Sequence, residues 1–303
     1  MIHIIYHASD FDGKFSGLLV RLFCKSEKNV ELIPMDHENK KNFNYQKINK
    51  EDVIILLDFS FDFDVMKYIN ENAGEFIWID HHISAMNICK DLHIKGLRSI
   101  KHSAAKLALI YFFDDAPSNS NFRDIIDLIS IYDIWDEKNE KWEDANIFQN
   151  GCKLSSWDPR DNNIFDFFQT IFKSSFDAQD FQLETLEQGR IISKYKEIAN
   201  KELASRVVFP CMFQSYRAIV INGHGNSQLF DSIDLTPYEI RLIYNFNGKS
   251  YVFSIYQGNP QDDVDCSELA KRNGGGGHRG ASGFDVQYIE FVNGEDGLEL
   301  IVK

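Results

Sequence analysis

Apolar and polar positions follow two regimes along the chain. In the first half, short unbroken apolar runs alternate with helical stripes. The runs IHIIY (2–6), VELIPM (30–35), VIILL (53–57) and FIWI (76–79) predict four strands. Over 13–26, Phe15, Leu18, Leu19, Leu22 and Phe23 recur at the i, i+3, i+4, i+7, i+8 spacing of an amphipathic helix. Further helices are expected over 62–73, 102–114 and 122–135. Buried strands alternating with amphipathic helices imply a parallel sheet covered on both faces, whose ligands bind at the carboxyl ends of the strands. The charged stretch WDEKNEKWED (135–144) reads as a surface loop. One long Glu- and Lys-rich helix is expected over 181–206. Beyond it, AIVIN, YEIRLIYNFNGKSYVFSIYQ and SGFDVQYIEF read as strands, the second carrying an Asn-Gly hairpin signal. The expected class is α/β: an N-terminal parallel-sheet domain (1–180) with helices on both faces, a helical linker (181–206), and a smaller C-terminal α+β domain (207–303).

The composition narrows the function. The 303 residues are 44% apolar, enough for two cores, and most of the 25 Phe are expected there. A net charge of −14 disfavours long duplex nucleic acid unless a local basic groove compensates. The five cysteines at 24, 89, 152, 211 and 266 are scattered and never form a CxxC pair. They suit a reducing cytoplasm rather than a disulfide framework or zinc ribbon. The N-terminal segment lacks the basic and apolar regions of a signal peptide, and no stretch is long and apolar enough to span a membrane. A cytoplasmic location is expected.

The chemistry gathers at strand ends. HASDFDG after the first run supplies His7, Asp10 and Asp12; Asp58 follows VIILL; Asp80, His81 and His82 follow FIWI. Each has an ordinary reading alone: an Asp-x-Asp-Gly turn, a helix cap, a chance His pair. Carboxylates crowded at one sheet edge would repel one another and raise one another's pKa values. A pair of divalent cations removes that cost. Oxygen-rich ligation with a few imidazoles suits Mn2+ best, ahead of Mg2+ or Zn2+. Two such ions are a recurrent device for phosphoryl chemistry, and Asp58 is the best-placed carboxylate to reach both. Asp133, in IYDIWD, is either a further ligand from a nearby helix or a C-terminal turn acid.

In this order, HASDFDG, LLDFS, WIDHH, IYDIWD and NGGGGHRGASGF resemble the DHH phosphoesterase superfamily, in the branch with the DHH-associated C-terminal domain. That branch includes RecJ-type exonucleases, nano-RNases and cyclic-dinucleotide phosphodiesterases. The resemblance spans residues 7 to 284. It implies two metal ions, usually manganese, with His7 and Asp10 on one, Asp12, His81 and Asp133 on the other, and Asp58 bridging. It casts His82 as facing the substrate phosphate and Asp80 as the acid orienting the histidine pair. It has Gly275, Gly276 and Gly277 closing bare backbone over the substrate, and His278 touching a phosphate or terminal nucleotide. A helix starting at Ser267 would precede the glycines.

There are departures. Ser9 stands where RecJ-type enzymes carry a further Asp, and the spacing from His7 differs from the RecJ and nano-RNase patterns. Tyr256 occupies the place of an arginine often seen in the second-lobe strand. His3, His37, His93, His102 and His224 match no motif and read as surface or structural.

The resemblance implies a phosphodiesterase acting by a two-metal mechanism, with His82, His278 and the glycine backbone neutralising the phosphate. The acidic composition favours short single-stranded oligonucleotides or dinucleotides as substrate, and a homodimer is compatible with this reading. The alternatives are an inorganic pyrophosphate or polyphosphate hydrolase, disfavoured by GGGGH, and an inactive nucleotide-binding protein, disfavoured by the complete set of candidate ligands.

Overall fold

The structure, a computed structural model, describes residues 1–36, 38–114, 119–259 and 261–303; His37 lies outside them. The chain forms two compact units, Met1–Ser193 and Lys194–Lys303.

The first unit opens with β1 (Ile2–His7), α1 (Phe11–Phe23), β2 (Val30–Met35), β3 (Val53–Leu57), α2 (Phe63–Asn72), β4 (Glu75–Ile79) and α3 (Ile83–Ile88). The four apolar runs are the four strands. They pair in parallel in the order β2-β1-β3-β4. Side chains alternate across a strand, and the cores divide accordingly. Ile4, Tyr6, Ile55, Leu57, Ile77 and Ile79 face one core. Ile5, Ile54, Leu56, Phe76 and Trp78 face the other. The sheet is thus covered on both faces. Burying each such side chain contributes about 1.5–3 kcal/mol.

Helices α4 (Ala104–Phe113), α5 (Ser120–Asp133), α6 (Trp142–Cys152) and α7 (Asn162–Lys173) add Leu107, Phe122, Phe148 and Phe168 to the first core. The sequence pattern predicted α4 and α5 but not α6 or α7. Trp142 starts α6 inside the stretch read as a surface loop, and Asp161 caps α7 by accepting from the N–H groups of Asn163 and Ile164. The long helix is α8 (Ser175–Val207), six residues longer at its start than expected, and the division between the units falls within it.

The second unit contains β5 (Val208–Phe213), β6 (Tyr216–Asn222), β7 (Ile240–Phe246), β8 (Tyr251–Gln257), α9 (Cys266–Arg272), β9 (Gly276–Gly277), β10 (Ala281–Val286), β11 (Ile289–Gly294) and β12 (Gly297–Val302). They form a mixed eight-stranded sheet, ordered β11-β12-β5-β6-β7-β8-β10-β9. The Asn-Gly signal is a hairpin: β7 and β8 pair antiparallel, Gly248 takes a positive φ of 92°, and Asn247 Oδ1 accepts from the N–H groups of Lys249 and Ser250. The run SGFDVQYIEF is two strands, not one. Only Gln287 and Tyr288 separate β10 from β11, yet these lie near opposite edges of the sheet. Two residues reach only about 7 Å, so the sheet curls back toward itself. Helix α9 packs Cys266, Leu269 and Ala270 onto Phe253, Ile255 and Phe284.

Candidate metal centre and glycine segment

β1, β3 and β4 are neighbours in the sheet, so their carboxyl ends meet. His7 is the last residue of β1, Asp58 follows β3, and Asp80, His81 and His82 follow β4. Asp58 turns sharply away from its strand. Its φ of 52° is left-handed, a region that costs an L side chain energy, while its N–H bonds the Ile79 carbonyl at 2.9 Å. The carboxylate is 2% exposed.

Asp10 caps α1: one oxygen accepts from the Gly13 N–H at 2.9 Å, and the other lies 2.8 Å from His7 Nδ1. Gly13 is needed for this approach, since a Cβ there would meet the His7 carbonyl oxygen at 2.1 Å. Asp12, in the first turn of α1, is buried. Its two oxygens accept from the N–H groups of Ala104 and Ala105, at 2.7 and 2.8 Å. Asp12 therefore caps α4 from across the fold, a role its local sequence does not announce.

Three groups of ligand atoms result, the atoms of each lying within 4.8 Å of one another: His7, Asp10 and Asp58; Asp12, His81 and Asp133; and Asp58, His81 and His82. Asp58 links them. One of its oxygens is 3.4 Å from His7 Nδ1 and the other 3.3 Å from His81 Nε2. His81 Nε2 is also 3.1 Å from Asp133, the last residue of α5. Asp80 stands beneath the pair. Its Oδ1 accepts from the N–H groups of His81 and His82 and lies 2.7 Å from His82 Nδ1; its Oδ2 accepts from Trp78 Nε1. This holds one ring nitrogen of His82 inward and leaves the 41% exposed side chain to present the other.

The electrostatics of the cluster are strained. Burial pulls His7 down, but Asp10 and Asp58 outweigh it and raise its pKa to about 10. Burial also opposes protonation of His81, but Asp58, Asp133 and Asp12 outweigh it there and raise it to about 10. Burial and the nearby Asp58 raise Asp12 to about 7 and, with Asp12, hold Asp133 well above the carboxylate range. Burial would raise Asp58 too, but the imidazoles of His7 and His81 within ion-pair distance carry it below its ordinary value.

Asp58 Oδ1 and Asp133 Oδ2 are buried and accept no hydrogen bond among the described residues. Buried oxygens in that state are costly, and a divalent cation is the partner that satisfies several at once. Carboxylate and imidazole donors suit such an ion, so the residues present fit it.

In the second unit, each glycine of the run has a local setting. Gly274 ends α9 at a φ of 81°. Gly275 donates its N–H to the Ala270 carbonyl, and a Cβ there would meet the Gly283 carbonyl oxygen at 2.1 Å. Gly277 has a φ of 141°, and a Cβ would stand 2.7 Å from Ser282 Cα. At Gly276 a Cβ would meet nothing within 4 Å. The Gly275 N–H is therefore engaged within the fold, and packing explains most of the run. Gly276 is the glycine whose bareness the fold does not require. His278 exchanges backbone bonds with Ala281 across a tight turn, and its carbonyl accepts from Ser282 Oγ. The preceding helix starts at Cys266 with Asp265 as its cap, one residue before the expected start.

Tyr256 does stand in β8, but Arg241 lies directly across from it on β7. Its guanidinium sits 5.7 Å from the Tyr256 ring centroid, and its Nε donates to the Gln257 carbonyl at 2.6 Å. Arg241 lies on the neighbouring strand, so the strand that carries Tyr256 does not by itself reveal it. The Asn-Gly hairpin, which sets the register, was the signal that pairs the two positions.

No family model matches the chain. Over 95% of its length it is 26% identical to an uncharacterised protein of Acanthamoeba polyphaga mimivirus, covering 68% of that protein. Over 94% of its length it is 24% identical to the oligoribonuclease NrnB of Bacillus subtilis (strain 168), covering 73% of it. Among solved structures, a DHH domain from a member of a ribosomal-protein family aligns with a TM-score of 0.57 at 12% identity, over 93% of this chain and 82% of that one. The pGpG-specific phosphodiesterase PggH from Vibrio cholerae aligns with a TM-score of 0.54 at 14% identity, over 95% and 94%. The chain shares its fold with these two structures, one of them a DHH domain. Among the described residues, no helix is long and apolar enough to cross a membrane.

Proposed function

We propose that the protein is a metal-dependent phosphoesterase that hydrolyses phosphodiester bonds of short single-stranded oligonucleotides or dinucleotides. The observation that carries this is the convergence of Asp10, Asp12, Asp58, Asp133, His7 and His81, with buried oxygens of Asp58 and Asp133 lacking hydrogen bonds. In this reading His7, Asp10 and Asp58 hold one divalent ion, and Asp12, His81 and Asp133 the other, with Asp58 shared. Mn2+ is preferred and Mg2+ acceptable. When bound, the ions supply Lewis acidity and an activated water at neutral pH. His82, oriented by Asp80, presents its outer nitrogen to a phosphate oxygen. His278 and the bare backbone at Gly276 contact the nucleotide. The alignments to an oligoribonuclease and to a dinucleotide phosphodiesterase support this substrate class, as does the acidic composition, which disfavours long polymers.

The test is a manganese-supplemented assay against short RNA, short DNA, cyclic dinucleotides, a nucleoside bisphosphate and pyrophosphate. Asp58→Ala should abolish turnover of every substrate. His278→Ala should weaken turnover of the nucleotidic ones selectively. Hydrolysis of pyrophosphate alone would replace this reading with the inorganic one.

A further inference from the structure

The segment Ser99–Ser103 joins two parts of the candidate centre. At one end, the Ser99 N–H bonds the Asp80 carbonyl, and the preceding residues run alongside β4 through the bridges Ile77↔Lys95 and Asp80↔Arg98. At the other end, Ala104 donates to the Asp12 carboxylate. Ser99 Oγ accepts from the Lys101 N–H, which tightens the bend between them. The backbone between His102 and Ala104 limits the His102 Cα to within about 10 Å of the Asp12 carboxylate, and Lys101 follows one residue further out. Position along the chain gave no hint of this, because residues 101 and 102 are nearly ninety positions from residue 12.

Lys101 and His102 are exposed, and among the described residues neither side chain makes an ion pair or hydrogen bond. The other cations nearby are engaged. Arg98 donates to the carbonyls of Trp78, Lys95 and Ile94. Lys106 pairs with Asp127 at 3.0 Å. Lys14 lies over the Phe11 ring. Ile100, between the anchors, is 57% exposed. Apolar surface beside an uncommitted ammonium and imidazole matches a nucleotide, which offers a base or ribose face next to an anionic phosphate. In a chain of net charge −14, cations fixed beside the candidate site dominate the local attraction for such a group.

Resting on the proposed phosphodiesterase activity, we infer that Lys101, with His102 beside it, binds the substrate phosphate adjacent to the scissile one, and so sets a preference for substrates carrying that second phosphate. Lys101 is here a specificity-determining residue, distinct from the candidate metal ligands.

The experiment compares a dinucleotide bearing a 5′-phosphate with the same dinucleotide bearing a 5′-hydroxyl, in Mn2+. The wild-type chain should favour the phosphorylated form in kcat/KM. Lys101→Ala should lower that preference by about tenfold, the scale of one lost charge-assisted contact, mainly through KM. Lys101→Arg should restore it, and His102→Gln should lower it less. Since both positions are exposed, the melting temperature should hold. A preference unchanged in Lys101→Ala, with the wild type active, overturns the inference and leaves the phosphodiesterase reading standing. A wild-type chain inactive on both dinucleotides overturns that reading itself.

Discussion

Raising the pH should drive the metal-free and metal-loaded forms apart in stability. In the metal-free chain His7 and His81 are raised from 6.5 to about 10. The folded state then binds these protons more tightly than the unfolded state, so their contribution is complete below about pH 6.5 and is lost as pH rises through about 10. Asp12, raised to about 7, and Asp133, raised well above its ordinary value, act in the same sense at lower pH. A shift of this size sets a ceiling of roughly 5 kcal/mol per imidazole. Both imidazoles touch Asp58, so together they contribute less than twice that. A divalent cation makes the opposite demand, requiring neutral imidazoles and ionised carboxylates. Each proton it displaces steepens the affinity by about tenfold per pH unit. Scanning calorimetry with and without Mn2+, in anaerobic buffer from pH 6 to 8.5, should show a gap in Tm that widens with pH. Titration calorimetry at pH 7, in buffers of different ionisation enthalpy, should count about two or more protons released. A Tm gap constant with pH, together with no buffer dependence of the heat, would refute the reasoning, because the cation would then bind somewhere other than these imidazoles.

Asp80→Asn should leave metal affinity nearly intact but lower kcat by about 10- to 100-fold, since His82 loses the carboxylate that fixes its ring; steady-state kinetics beside metal titration separate the two effects. Gly13→Ala should destabilise the fold by about 1–3 kcal/mol in urea unfolding, because its methyl would collide with the His7 carbonyl. Gly275→Ala should destabilise comparably, whereas Gly276→Ala should change stability by less than about 0.5 kcal/mol; loss of activity in Gly276→Ala with unchanged stability would mark that backbone as facing substrate. In metal-free protein near pH 7, Asp133→Asn should stabilise the fold by relieving repulsion with Asp12 and Asp58, whereas Asp12→Asn should destabilise it, since it weakens the cap on α4; thermal melts in chelator distinguish the signs.

Much of the first unit was legible because its determinants are local. Each buried strand is a short apolar run, and the chemistry follows within five residues of where β1, β3 and β4 end. Strand order was not local, but only parallel neighbours could bring those three ends together. The features that escaped notice depend on distant partners. Asp12 caps a helix more than ninety residues away, and nothing around it distinguishes that duty from a turn acid. β5 contains Pro210 and follows α8 without a break, so no turn residue announced it. SGFDVQYIEF reads as continuous because its break, at Gln287 and Tyr288, carries no glycine or proline. His102 reads from sequence as surface or structural, and only the bonds at Ser99 and Ala104 tie its segment, Lys101 included, to the cluster.

The carboxylates of the cluster do not all call for the same explanation. Asp80 accepts from two backbone N–H groups and an indole, and Asp12 accepts from two N–H groups at the start of α4. Both burials are offset within the polypeptide, and either residue could be kept by a fold that binds no ion. Asp58 and Asp133 differ. Each has a buried oxygen without a hydrogen-bond donor, and Asp58 is also held at a positive φ that a glycine would adopt more easily. Protonated imidazoles relieve these oxygens only by taking on charge inside a buried site. The demand for a cation is therefore concentrated at Asp58 and Asp133, on the line joining β3 to the end of α5. In the proposed metal-binding reading, Asp12 would serve that demand as a second duty, added to the cap on α4 that already keeps it in place.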